Sequence, residues 1–186
     1  IPVFYFPKFF HPDPTVDRKS GFLMPSFSDS KNLGASVNIP YFYDISDSQD
    51  LTFKPRFFSD NEFLLQSEYR KVNKNSSHIL DFSFNKKDSD SKKGRNTHFF
   101  SNSEFILDDN FFSESSIDLT IEKVSNDDYI DLYSLESTSP IIKDTSVLEN
   151  IIEFSGSQNN FYLDFSVESY ETLNKPTSDR YEFVYP

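Results

Sequence analysis

NFYLDFSVESY (Asn160–Tyr170) puts Phe161, Leu163, Phe165 and Val167 on one side of an extended chain and Asp164, Ser166 and Glu168 on the other. A period of two is the signature of a β-strand with one apolar and one polar face. The same alternation recurs in SSIDLTIEKV, where Ile117, Leu119 and Ile121 oppose Asp118, Thr120 and Glu122. In SHILDFSFN, Leu80, Phe82 and Phe84 oppose Asp81 and Ser83, and in DLTFKPRFF, Leu51, Phe53 and Phe57 oppose Thr52, Lys54 and Arg56. VNIPYFYDI aligns Val37, Ile39, Tyr41 and Tyr43. Helical periodicity is nearly absent.

The pattern predicts roughly ten strands, over 19–28, 35–45, 50–59, 62–72, 77–86, 96–107, 114–124, 146–155, 160–170 and 179–186. Polar breaks separate them, including a long insert from Ser125 to Thr145 whose DDYIDLYSL segment predicts a short helix. Two of the strands contain a proline near the centre, Pro25 in SGFLMPSF and Pro40 in SVNIPYFY. Proline cannot donate to a sheet ladder, so it is normally confined to edges, strand ends or bulges.

Composition narrows the class. Hydrophobic residues make up only 36% of the 186, and the formal charge is -12. Mean hydropathy is -0.56. Such values lean toward disorder, yet 22 Phe and 10 Tyr bring the aromatic share to 17%. The rings must therefore be anchored without a large aliphatic core. A pI near 4.6 argues against non-specific nucleic-acid binding. With no cysteine there is no thiol chemistry or disulfide in this segment. No apolar run is long enough for a spanning helix, but a spanning strand needs only about 9–11 alternating residues. The chain starts at Ile1 and ends at RYEFVYP, and it reads as a piece of a longer protein.

Alternation alone fits two architectures. One is a soluble antiparallel sandwich, a binding or adhesin module with one buried and one wet face. The other is a transmembrane barrel, apolar toward lipid and polar toward its lumen. The strands are about ten residues long against a usual 5–6. Aromatics gather near strand ends, at Tyr41–Tyr43, Phe57–Phe58, Phe99–Phe100, Phe111–Phe112, Tyr181 and Tyr185. Long or charged links alternate with short ones, SDN excepted, as in barrels with short turns at one rim and longer loops at the other. These features favour the barrel.

Chemistry-bearing motifs are sparse. His11, His78 and His98 lack metal-ligand spacing, and no nucleophile motif or phosphate-cradling glycine loop is present. No catalytic residue, metal or cofactor is expected. An enzyme would require a triad assembled in space. Lys54, Arg56, Glu62, Glu68, Arg70, Asp81, Asp118, Glu122, Asp164 and Glu168 share the expected wet face with both signs of charge.

PVFYFPKFF (Pro2–Phe10), KSGFLMP (Lys19–Pro25), PYF (Pro40–Phe42), TFKPRF (Thr52–Phe57) and EYR (Glu68–Arg70) stand in an order and spacing that resemble the lipopolysaccharide-assembly outer-membrane protein LptD (OstA) family. The resemblance covers about the first 70 residues; KVSNDDYI (Lys123–Ile130) adds a weaker match. It implies an all-β chain forming the N-terminal part of a large transmembrane barrel of about 26 strands, incomplete and open in this fragment. Residues 1–17 would end a periplasmic jelly-roll domain and form the hinge, with 18–186 supplying the first ten or so barrel strands. The implied function is insertion of lipopolysaccharide into the outer leaflet of the cell outer membrane, without enzymatic activity. The implied partners are lipopolysaccharide, an LptE-type plug lipoprotein, an LptA-type periplasmic bridge and the outer membrane. Pro25 and Pro40 fall where the family carries its lateral gate. Val3, Phe4, Phe6 and Phe9 would border the acyl path at the hinge. The cysteines of the family's inter-domain disulfides lie outside this chain.

Overall fold

The computed structural model describes residues 18–30, 32–87, 96–108 and 110–186, so the expected hinge residues Val3, Phe4, Phe6 and Phe9 lie outside the described residues. Twelve strands form one sheet: β1 (Gly21–Phe22), β2 (Ser26–Ser30), β3 (Gly34–Asn38), β4 (Tyr41–Ser46), β5 (Gln49–Phe58), β6 (Glu62–Asn73), β7 (Ser76–Lys87), β8 (Thr97–Ile106), β9 (Glu114–Val124), β10 (Val147–Gln158), β11 (Phe161–Thr172) and β12 (Tyr181–Val184). Every pairing is antiparallel, and from β4 onward each strand pairs with the next in sequence. The sheet is open, with β1 and β2 at one edge and β12 at the other.

Ten expected strands have become twelve because the first two are each interrupted. The breaks fall at Leu23–Pro25 and at Ile39–Pro40. All the others appear within a few residues of their expected bounds. The two-residue turn between β10 and β11 carries Asn159 at φ 53, the left-handed geometry that tight hairpins need and that asparagine tolerates.

The register sorts side chains onto two faces. Phe53, Ser67, Phe82, Phe99 and Lys123 form one cross-sheet row on the apolar face. Arg56, Leu64 and Asn85 form one on the polar face. Burial runs opposite to that of a soluble core. Asp81 is 0% exposed and Glu68 4%, while Phe27 is 80% and Phe165 49% exposed. No second layer covers the apolar face among the described residues, so a two-layer sandwich is not formed. Monomeric soluble proteins rarely expose contiguous apolar patches beyond a few hundred Å².

What buries the polar face is the insert between β9 and β10. It contains the expected helix, α1 (Tyr129–Tyr133), followed by a 3-10 turn (Leu135–Ser137). Tyr129, Ile130, Tyr133, Leu135, Ile141 and Ile142 pack with Phe58, Leu64, Phe100 and Val124 into the main apolar cluster. The core thus lies between loop and sheet, at the sheet end that carries the longer links. At the opposite end the chain enters through Arg18, which bonds the Asp47 carbonyl at 3.3 Å and pairs with Asp50.

Candidate functional site: a proline-broken edge behind a folded-in loop

Pro25, Pro40 and Pro55 follow one another at fifteen-residue intervals, and the hairpins bring them side by side across the first three long strand paths. Between the pairs Phe22–Tyr41 and Ser26–Asn38, three residues of the first path face two of the second. The extra residue is a bulge, and it reverses the alternation so that Phe22 and Phe27 both stand exposed. One expected gate residue, Pro25, therefore sits in a bulge, and the other, Pro40, lies directly opposite it.

Two hydrogen bonds cross the break. Leu23 N–H donates to the Pro40 carbonyl at 2.8 Å, and Ile39 N–H donates to the Pro55 carbonyl at 3.1 Å. Such antiparallel residue pairs normally exchange two bonds. Here each pair has one, because proline accepts but has no N–H to return. The ladder is thinned along a line running inward from the free edge and reaching β5. Pro55 was missed in the sequence because β5 reads as an unbroken alternating strand. The equal spacing of the three prolines is the sequence signal that could have found it.

On the long-loop side of this line, the polar face of β5–β8 is pinned to the insert. Arg56 Nη1 donates to the Tyr133 carbonyl at 2.6 Å, and Lys54 Nζ donates to the Thr138 carbonyl and to Glu68 Oε2, both at 2.6 Å. The residues flanking Pro55 on either side are thereby clamped to the loop. Tyr133 donates its hydroxyl to Glu62 and accepts from Asn85 Nδ2, each at 2.7 Å. Thr138 Oγ1 donates to Gln66 Oε1 at 2.5 Å. Burial pushes the Tyr129 hydroxyl up to about 12, against a smaller opposing effect of its bond to Ser83, so it stays protonated at neutral pH. At the sheet rim the Arg180 guanidinium grips both oxygens of Asp127 at 2.6 and 2.8 Å and holds that carboxyl below its usual range. Arg180 also bonds Glu171 at 2.7 Å, tying the start of the insert to β11 and β12.

The residues expected on a wet face thus have a second role. Lys54, Arg56, Glu62, Glu68, Asp81 and Glu122 stand on strands β5–β9, and all but Lys54 are buried. Asp118, Asp164 and Glu168 remain partly or fully exposed. Sequence reasoning placed the face correctly but left it open to water, because nothing in an alternating pattern marks where a loop folds back.

Ser83, His98 and Asp81 come together as a serine–histidine–acid group. Ser83 Oγ lies 2.6 Å from His98 Nδ1, and His98 Nε2 lies 3.3 Å from Asp81 Oδ1. A hydrolytic serine must be open to its substrate, beside donors for the developing oxyanion. Ser83 is 3% exposed, its hydroxyl is shared with Tyr129 at 2.9 Å, and Gln66 donates to Asp81 at 3.0 Å. The group anchors the insert. His78 instead bonds Ser103 and Ser76 and packs edge-on against Phe105. Among the described residues no group of three or more His, Asp or Glu is arranged to hold a metal ion.

A family model described as LptD protein matches residues 1–119. An LPS-assembly protein LptD of Pseudoalteromonas translucida (strain TAC 125) is 31% identical over 175 residues, covering 92% of this chain and 22% of that protein. Another, of Shewanella sp. (strain ANA-3), is 44% identical over 71 residues, covering 38% of this chain and 9% of that protein. A third, of Pseudomonas aeruginosa (strain UCBPP-PA14), is 32% identical over 96 residues, 50% of this chain and 10% of that protein. The chain therefore spans between 9% and 22% of the length of these relatives. The family match covers more than half of the chain and includes all three proline-bearing strand paths, and this chain belongs to the LptD protein family.

Proposed function

We propose that this chain is the opening part of an outer-membrane barrel that delivers lipopolysaccharide to the outer leaflet through a lateral seam at its first strands. The carrying observation is the half-made ladder at Pro40 and Pro55 on a free sheet edge whose apolar face is uncovered. In hydrocarbon, unsatisfied backbone groups are expensive, so a permanently closed barrel would avoid such a row. At a joint that must part, the same row lowers the opening cost. Strands of 10–12 residues over β5–β11 suit a tilted membrane crossing.

The links support one orientation. The short turns and the entry of the chain at Arg18 share one end, which is the periplasmic one in this reading. Residues 1–17 then form the end of the periplasmic jelly-roll domain and the hinge, and 18–186 form barrel strands. The insert folds back from the cell-surface end into the lumen. The lumen would also receive an LptE-type plug, while lipid arrives over an LptA-type bridge and passes Val3, Phe4, Phe6 and Phe9 at the hinge.

Photo-crosslinking residues at Pro25, Pro40 and Phe22 of the complete protein test the seam. Lipopolysaccharide adducts are expected at Phe22 and at one or both prolines. Adducts confined to strands far from this edge would contradict it.

A further inference from the structure

Beside the proline line, between the polar face of the β2–β3 hairpin and the insert, lies a cavity of about 310 Å³. That volume is at the small end of the ~300–1,000 Å³ typical of ligand sites. Its walls are mostly hydroxyl-bearing: Ser26, Ser28 and Ser36 from the hairpin, Tyr133 and Thr138 from the insert, with Arg56 contributed by β5. Ser28 and Ser36 face each other across the hairpin with their oxygens 2.8 Å apart.

Arg56 is the unexpected member. It is 7% exposed, and among the described residues no carboxylate lies within ion-pair distance of it. Glu136 acts on it at Coulombic range only, and Asp29 also borders the cavity. One hydrogen bond, to the Tyr133 carbonyl, occupies Nη1, and the ring of Phe58 lies 5.9 Å from the guanidinium carbon. The rest of the guanidinium's donors remain for a ligand. A buried cation without a paired anion is costly.

Resting on the seam reading above, we infer that this cavity binds an anionic saccharide, the phosphate- or carboxylate-bearing sugar of the glycolipid as its acyl chains pass the broken edge. Small hydroxyls on both walls suit a ligand that both donates and accepts hydrogen bonds. The guanidinium fork matches a planar or tetrahedral oxyanion. Ser26 and Asn38 are the first paired residues beyond the break, so the headgroup is held on the polar side while Phe22, across the break, faces the hydrocarbon.

The test uses the full-length protein with its native partners and places a photo-crosslinker at Ser28, on the cavity wall, or at Phe22, on the apolar face and outside the cavity. The probes are purified lipopolysaccharide, intact and in dephosphorylated, carboxyl-reduced form. Intact lipid is expected to label both positions, with Arg56→Ala or removal of the anionic groups cutting the Ser28 adduct about tenfold and sparing the Phe22 adduct. If Arg56→Ala fails to assemble, Ser36→Val supplies the comparison and is expected to weaken the Ser28 adduct alone. Labelling at Phe22 without Ser28 overturns the cavity site and leaves the seam standing. A Ser28 adduct indifferent to both changes overturns the anionic assignment. Adducts at neither position, with transport intact, overturn the seam reading and this inference with it.

Discussion

Replacing Pro40 and Pro55 together by alanine is expected to slow lipid delivery by the complete protein between about 5- and 150-fold, while leaving the barrel assembled and more resistant to heat. Leu23–Pro40 and Ile39–Pro55 are each held by one bond where an antiparallel pair would make two. Alanine restores the returning N–H in each, at ~0.5–1.5 kcal/mol net per bond. About 1–3 kcal/mol in favour of the closed seam corresponds to that range of population shift. Each single variant should give roughly the square root of the double effect, since the two bonds lie on different strand pairs. Initial rates of lipopolysaccharide appearance in reconstituted vesicles provide the measure, and an unchanged rate in the double variant would show that the row does not govern opening.

The second large effect concerns the apolar face. Phe82→Arg places a charge in the middle of the row formed by Ser67, Phe82 and Phe99. On a surface bathed in lipid the expected cost is ~2–4 kcal/mol, read as a lowered midpoint in reversible unfolding from vesicles. Asn102→Arg is its control: Asn102 pairs with Ile79 and Thr120 on the polar face. It is expected to shift stability by no more than ~0.5 kcal/mol. Equal costs at the two positions would remove the distinction between the faces.

How much of this was legible beforehand differs from element to element. The alternation at Phe161–Glu168 and Ile117–Glu122 fixed strand identity and faces, because a period of two admits no other regular structure. The all-β class followed from it, while the open, incomplete sheet was expected from the family resemblance and the short helix from DDYIDLYSL in the insert. Pro25 and Pro40 were visible as anomalies, and bulges were one of the places expected for them; that only Pro25 sits in one was not visible, since an extra residue shows only when two strands are set in register. Pro55 looked innocuous inside DLTFKPRFF until its carbonyl was seen to accept from Ile39. The burial of Asp81, Glu68 and Arg56 was hidden for a different reason. It depends on Tyr129, Tyr133 and Thr138, distant in sequence, closing over them through tertiary contacts. The clustering of Ser83, His98 and Asp81 was equally invisible, although Ser83 and Asp81 are two residues apart on β7 and so share a face.

The proposed function requires that one face of this sheet meets hydrocarbon and the other meets a polar interior. Single cysteines along β11, from Phe161 to Glu168, carrying a small fluorophore in the complete protein and embedded in vesicles of brominated-chain lipid, test it most directly. Strong quenching is predicted at 161, 163, 165 and 167 and little at 162, 164, 166 and 168. Uniform quenching along the strand, or quenching of the even positions instead, would contradict the claim.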